Sequence, residues 1–395
     1  LEADALRAVL AAAAGWSVRH AKNERAAPRG DPAHAAYPAD LPLQPHQQPA
    51  AAYARISSWK EYARTPLVDA KELAEVLGVR KLYLKDETCR FGDVGSFKAL
   101  GGAYAAEVFC EERGAGGDPD AAADGPAAGK PIEGRPIFAT ASAGNHGMGL
   151  AWGARRLGCA CHVFLHEGVP EEAAERVRSL GATVHRVRGS YEESCARCHE
   201  TCKEEENWVL VQDVDIAGTY EKIPLDIFAG YTVLAREMEQ QIREIEEMTE
   251  LAVPTHVLVN TGVGGLACAV CAHNWGSYKE NRPRFVCVEP AAAACCRFSC
   301  ERGELSTVGE GESHEPGEEG HGGRKGTVQV GLDCKTPAPS SWHILSRGCD
   351  DFVSVSDAAV EPCMEALRRS CGILAGKSAV AGLGVLFAAA AGGGA

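Results

Sequence analysis

The sequence predicts an α/β protein of two domains, each an open, mostly parallel sheet flanked by helices. Three observations carry this. Short β-rich runs alternate with helical runs of roughly 10–15 residues, the pattern of parallel strands joined by crossover helices. The alternation comes in two separate series. The chain is 395 residues long, enough to bury a large core in one or two domains.

The elements follow in order. "ALRAVLAAAA" (5–14) is an apolar helical run too short to span a bilayer, and it continues into polar sequence. Residues 20–50 are rich in Ala, Pro, His and Gln and read as an arm. "KLYLKDE" (81–87) is a strand and "FKALGGAYAAEVFCEE" (97–112) a helix. "RPIFATAS" (135–142), "CHVFLHE" (161–167), "TVHRVRG" (183–189) and "WVLVQD" (208–213) are strands. The helices "NHGMGLAWGARRLG" (145–158), "PEEAAERVRSLG" (170–181) and "YEESCARCHETCKEEE" (191–206) alternate with them. In the second series the strand "THVLVNTG" (255–262) is followed by the helix "GGLACAVCAHN" (264–274) and the strand "RFVCVEP" (284–290). Two low-complexity segments, 113–134 and the acidic 301–326, bury little apolar surface and read as exposed loops.

Composition narrows the function. The net charge is -14 and no long basic run occurs, which argues against nucleic acid or an anionic membrane surface as partner. The 17 cysteines are odd in number and scattered, many in apolar settings such as Cys268, Cys271 and Cys287. That favours a reduced, cytoplasmic setting, although the chain begins at Leu1 and a targeting segment upstream of it stays open. Cys295 and Cys334 flank the acidic insert and are a candidate disulfide. Cys195, Cys198, His199 and Cys202 are a lesser candidate for a structural zinc; no metal is expected otherwise.

Three stretches carry candidate chemistry. Lys98 lies between Phe97 and Ala99-Leu100-Gly101-Gly102, an apolar setting that desolvates an amine and frees it to attack an aldehyde. "SAGNHG" (142–147) follows a strand and opens a helix. Ser142 and the turn N–H groups suit a carboxylate, Asn145 suits a ring oxygen, and Ala143, Gly144 and His146 complete a candidate substrate loop. "NTGVGGLA" (260–267) also joins strand to helix, and its G-x-G-G spacing suits one phosphate rather than a dinucleotide. In open α/β sheets both loops stand where ligands bind, at the carboxyl ends of strands. A capping serine with an ordinary lysine, and tight turns without ligand, are the alternatives that each stretch leaves open by itself.

Taken jointly, Ser-Phe-Lys, Ser-x-Gly-Asn-His, a glycine turn and a late Gly-x-Ser resemble the fold-type II pyridoxal phosphate (PLP) enzymes, the group of tryptophan synthase β and threonine dehydratase. The resemblance covers about residues 53–384. "YARTPL", "KDETCRFG", "YEKIPLDIFAGYTVLAREM", "VEPAAAAC" and "GLDCKTPAPSSWHIL" look like the diaminopropionate ammonia-lyases in particular. The resemblance implies PLP on Lys98 as a Schiff base, Asn145 on the ring hydroxyl, and Gly262, Val263, Gly264, Gly265 and Leu266 around the phosphate. It places Ser378 at the pyridine nitrogen, where an uncharged partner favours β-elimination over transamination. Asp213 matches a catalytic aspartate, and Lys98 or Asp213 would remove the α-proton. It also implies a small amino-acid substrate and a homodimer. The expected division is an N-terminal extension over 1–50, a large PLP-binding domain from 51–119 and 213–395, and a small domain over 120–212.

Two positions depart from the lyase pattern. Ala143 stands where the lyases carry an aspartate, as in serine and threonine dehydratases, and Lys377 stands where a glutamate precedes the late serine. Loss of the first acid removes one of two candidate bases and puts use of the D-isomer in doubt. The expected activity is elimination of ammonia from a 2,3-diamino acid. A serine/threonine dehydratase, or a PLP-binding protein without turnover, are the alternatives.

Overall fold

The β-rich runs pair into two four-stranded sheets and a short hairpin, in a computed structural model that describes residues 2–114, 134–246, 253–309 and 326–392. The chain divides into two compact units, residues 1–45, 65–88 and 235–395, and residues 46–64 and 89–234.

In the first unit, β1 (Val18–Lys22), β8 (His256–Asn260), β9 (Arg284–Pro290) and β10 (Asp351–Val355) form one sheet in the order β1-β10-β9-β8. β8, β9 and β10 are parallel, and β1 runs antiparallel along β10, with Val18 opposite Val355 and Lys22 opposite Asp351. The hairpin of β2 (Leu67–Asp69) and β3 (Tyr83–Lys85), with α3 (Lys71–Leu77) between its strands, belongs to the same unit. The core joins Val286, Val288, Val353 and Val355 of the sheet to Leu6 of α1 (Glu2–Ala13), Leu367 of α12 (Val360–Cys371) and Phe387 of α13 (Ala381–Ala391). α9 (Gly265–Tyr278) packs on α11 (Pro339–Gly348), and α10 (Cys295–Arg302) follows β9.

The second unit holds an all-parallel sheet in the order β6-β5-β4-β7, from β4 (Ile137–Thr140), β5 (Ala160–His166), β6 (Thr183–Val187) and β7 (Trp208–Leu210). Its helices are α2 (Gln48–Ile56), α4 (Lys98–Glu112), α5 (Asn145–Arg156), α6 (Glu171–Ser179) and α7 (Tyr191–Glu204). α7 opens with a capping box in which Ser190 and Glu193 satisfy each other's backbone N–H groups. The long α8 (Lys222–Ile245) is divided between the units at residue 234.

Missing side chains bring α4, α5 and α8 together. A Cβ at Gly153 would lie 2.5 Å from the Ala103 Cα, and one at Gly149 would lie 2.7 Å from the Ala99 Cα. Across the opposite side of α4, a Cβ at Gly230 would lie 2.6 Å from the Leu100 carbonyl oxygen. No side chain fits such gaps, so backbone packs directly on backbone.

Four expectations change here. The first 45 residues are not an extension: they supply an edge strand and the buried Leu6, Leu41 and Leu43. Residues 51–64, 89–112 and 213–234, expected in the large domain, cluster with the second sheet, α4 because it packs so closely on α5 and α8. Cys295 and Cys334 each keep a thiol and form no disulfide. The zinc alternative also lacks its geometry. Cys195, Cys198 and Cys202 pack with Phe164, Trp208 and Leu210 while His199 is exposed. The expected loops at 113–134 and 301–326 lie for the most part outside the described residues.

On the second sheet, His162 of β5 meets His185 of β6, Nδ1 to Nε2 at 2.7 Å, beside Trp208. Burial, then the neighbouring His185, pushes His162 from 6.5 down to about 4. Below pH 6.5 the unfolded chain therefore takes up a proton that the folded chain refuses. This contribution is complete above about pH 6.5 and is lost as the pH falls towards 4. Urea unfolding of the whole chain between pH 4 and 7 should show stability rising with pH, with a shallower rise for His162→Gln.

Candidate active site

The strand order β6-β5-β4-β7 reverses between β4 and β7. The chain leaves β4 towards β5 on one side and returns to β7 on the other. The carboxyl ends of those two strands flank the crevice where α/β sheets bind ligands. After β4 comes Ser142–His146, and after β7 comes Asp213.

Lys98 is the first residue of α4, and its Nζ donates to Asp213 Oδ2, so residues far apart in sequence form one ion pair. Both side chains are partly exposed, 25% and 20%. The amine also stands 5.6 Å from the ring centroids of Phe97 and Tyr231. The apolar setting expected of Lys98 is thus real on two sides but faces a carboxylate on a third. Burial by itself would raise the Asp213 pKa. The Lys98 charge, the nearby His146 ring and the hydrogen bond from Lys98 outweigh it and hold the carboxyl well below the usual range.

In the turn before α5, Ser142 Oγ accepts the Gly144 N–H at 3.3 Å. Asn145, the first helical residue, is exposed. Ala143 presents no acid. His146, expected among the substrate-binding residues, is instead buried, and its Nε2 donates to the Val211 carbonyl at 2.9 Å. The imidazole faces the strand end that leads to Asp213 rather than solvent.

In the other unit, Gly262–Leu266 turns from the end of β8 into α9. The first N–H groups of a helix have no acceptor within it, and here they open the turn. Gly264 has φ +99°, and a Cβ there would lie 2.6 Å from Ser341 Oγ. Ser341 in turn donates to the Val263 carbonyl at 2.6 Å. Gly262 is enclosed by sulfur: Cys295 and Cys296 Sγ lie 3.6 and 3.8 Å from its carbonyl oxygen, and Cys334 Sγ lies 3.1 Å from where a Cβ would stand. Ser378 Oγ accepts the Gly331 N–H at 3.0 Å, which leaves the hydroxyl proton to be donated elsewhere. Lys377, the second departure, is exposed and pairs with Glu361 at 3.3 Å.

Residues 59–394 match the family described as pyridoxal-phosphate dependent enzymes. The chain belongs to that family. Its fold-type II architecture is shared with a solved holo diaminopropionate ammonia-lyase from Escherichia coli, at a TM-score of 0.78 and 29% identity over 95% of this chain and 87% of that one. The diaminopropionate ammonia-lyase of E. coli K12 is 33% identical over 345 residues, 83% of this chain and 77% of the relative. An L-threonine dehydratase of Haemophilus influenzae is 26% identical over 323 residues, 81% of this chain and 51% of the relative.

The residues present fit PLP. A lysine amine can bond its aldehyde, a glycine turn that cannot carry side chains opens helix N–H groups to a phosphate, and Ser378 keeps a hydroxyl proton for a ring nitrogen. No helix of the described residues is long and apolar enough to cross a membrane.

Sequence reasoning passed over Ser341, Gly331, Tyr231 and Tyr220. The first two lie in or beside "GLDCKTPAPSSWHIL", and the tyrosines lie in "YEKIPLDIFAGYTVLAREM". Both stretches were legible as family-like, but nothing in them marks which atom supports which turn.

Gly264→Ala should weaken PLP binding by roughly tenfold or more, because an L side chain at positive φ costs about 1–3 kcal/mol and must displace Ser341. Titration of the visible absorbance of the purified protein with PLP measures this, with Gly78→Ala, also at positive φ but with open space around it, as the control.

Proposed function

We propose that this protein eliminates the β-amine of 2,3-diaminopropionate as ammonia with PLP as cofactor, and that water then hydrolyses the resulting enamine to a 2-oxo acid and a second ammonia. One observation carries the reading. The Lys98–Asp213 pair stands at the switch point of the sheet, in a chain 33% identical to a diaminopropionate ammonia-lyase.

Lys98 would hold the aldehyde carbon of the cofactor, Asn145 its ring hydroxyl, Gly262–Leu266 its phosphate, and Ser378 its pyridine nitrogen. When bound, the cofactor supplies a ring that withdraws electrons from the carbon losing its proton. Ser142 and the turn N–H groups of 143–145 hold the substrate carboxylate. The α-proton goes to Lys98 Nζ, the group this reading puts beside the reacting carbon, with Asp213 against it as its carboxylate partner. Asp213 keeps its charge, steadies the ammonium that results, and leaves Nζ placed to pass the proton to the departing β-amine. Tyr231 and Phe97 flank that ammonium with their rings.

Ala143 favours a second reading, a serine/threonine dehydratase, since the chain shares that feature with those enzymes. A cytoplasmic homodimer belongs to the reading as well. The homodimer rests on the family resemblance, and the cytoplasm on 17 cysteines of which none is in a disulfide among the described residues.

With PLP-loaded protein, release of 2-oxo acid should be at least about tenfold faster from L-2,3-diaminopropionate than from L-serine, and slower from the D-isomer. Faster release from serine would assign the second reading. Asp213→Asn should keep the visible PLP absorbance and lower kcat roughly 100-fold, because the ammonium formed at Lys98 Nζ loses the carboxylate that steadies it during proton transfer. Borohydride trapping with peptide mapping should label Lys98, and label at any other lysine would overturn the site.

A further inference from the structure

Asp213 is placed by the three residues before it, and side chains hold much of their backbone. β7 ends at Leu210 and lies at the edge of its sheet, with β4 as its neighbour strand. On the β4 side, the Val211 N–H donates to the Ala139 carbonyl at 2.8 Å, and the Val211 carbonyl receives His146 Nε2. In a strand the next residues point the other way. The Leu210 carbonyl and the Gln212 N–H therefore face the open edge, where a sheet normally leaves backbone groups unpaired.

One hydroxyl meets both. Tyr220 Oη accepts the Gln212 N–H at 2.9 Å and donates to the Leu210 carbonyl at 3.0 Å. The phenol does the work of a neighbour strand at this one position. A short return turn aims it there. Ile216 and Tyr220 exchange both backbone hydrogen bonds at 2.9 Å, and Gly218 at the tip has φ +75°. The chain leaves β7, passes Asp213, folds back within a few residues and clamps its own strand end.

We propose that Tyr220 is a positioning residue, whose phenol fixes the 210–212 peptides so that the Asp213 carboxylate stays against Lys98 Nζ. His146 holds the same segment from the opposite side, but Tyr220 does so from outside the substrate turn and can be altered without touching it. The inference rests on the reading that Lys98 and Asp213 perform the elimination.

The test is Tyr220→Phe in the full-length, PLP-loaded protein. It keeps the ring and removes both hydrogen bonds. Amide hydrogen exchange followed by mass spectrometry should show peptides covering 210–213 exchanging about tenfold faster, with β5 and β6 unchanged. In steady-state kinetics on L-2,3-diaminopropionate, kcat should fall roughly 10–100-fold, the scale of a catalytic group displaced by about 1 Å, with KM within about threefold. Thr219→Ala, in the same turn, should change neither. A Tyr220→Phe protein with kcat within twofold of the unaltered protein overturns the proposal. So does exchange that stays slow at 210–213 or rises across the whole sheet, the latter marking a general scaffold residue. If the unaltered protein releases 2-oxo acid from neither diaminopropionate nor serine, the functional reading fails, and the exchange comparison alone decides whether Tyr220 fixes the Asp213 segment.

Discussion

Direct contact between helix backbones is the constraint on which the catalytic unit depends. α4 is held by α5 on one side and by α8 on the other, at separations that admit no Cβ at Gly149, Gly153 or Gly230. A helix packed through side chains can slide or rotate as those side chains change rotamer. One packed backbone to backbone has little such freedom. Lys98 is the first residue of that helix. Its stem is long and flexible, but its starting point is fixed, and the amine's reach is set by the helix rather than by a loop. The same contacts account for the glycines and alanines at the facing positions of "FKALGGAYA" and "GNHGMGLAWGARRLG".

The second fixed point is the end of β7. The Lys98–Asp213 pair spans 115 positions in the chain. Its electrostatics follow from its surroundings. Burial disfavours a charged carboxylate, but the Lys98 charge in contact, the His146 ring nearby and the hydrogen bond from Lys98 overcome that penalty. The outcome is a carboxyl held below its usual range while Lys98 carries its charge, a group suited to steadying that positive charge. In the proposed reaction the work divides within the pair, with proton transfer on Nζ and charge on Oδ2.

Much of this was legible in the sequence and some was not, for identifiable reasons. Strand-to-helix alternation is local, so β4 to β7 and β8 to β9, with their helices, could be read directly. The turns at 142–147 and 260–267 were legible because glycine and serine at strand ends have few other uses. β1 was not: "VRHAK" has no alternating apolar face, and it becomes a strand only because β10 offers it an edge. The inward turn of His146 was hidden, since its acceptor is a backbone carbonyl 65 positions away. The Cys295–Cys334 pairing failed because flanking an insert says nothing about where sulfur atoms point; both thiols line Gly262 instead. Of the two departures from the lyase pattern, Lys377 finds a surface partner in Glu361, whereas Ala143 leaves its turn without a carboxylate.

The placement of β1 also bears on how the protein can be handled. Residues that read as an N-terminal extension cover the outer edge of a parallel sheet and shield apolar surface on α12 and α13. Trimming the polypeptide near position 50, a natural choice from composition, would uncover the β10 edge and invite intermolecular strand addition. Recombinant versions that retain this segment should remain dispersed at concentrations where shortened ones precipitate.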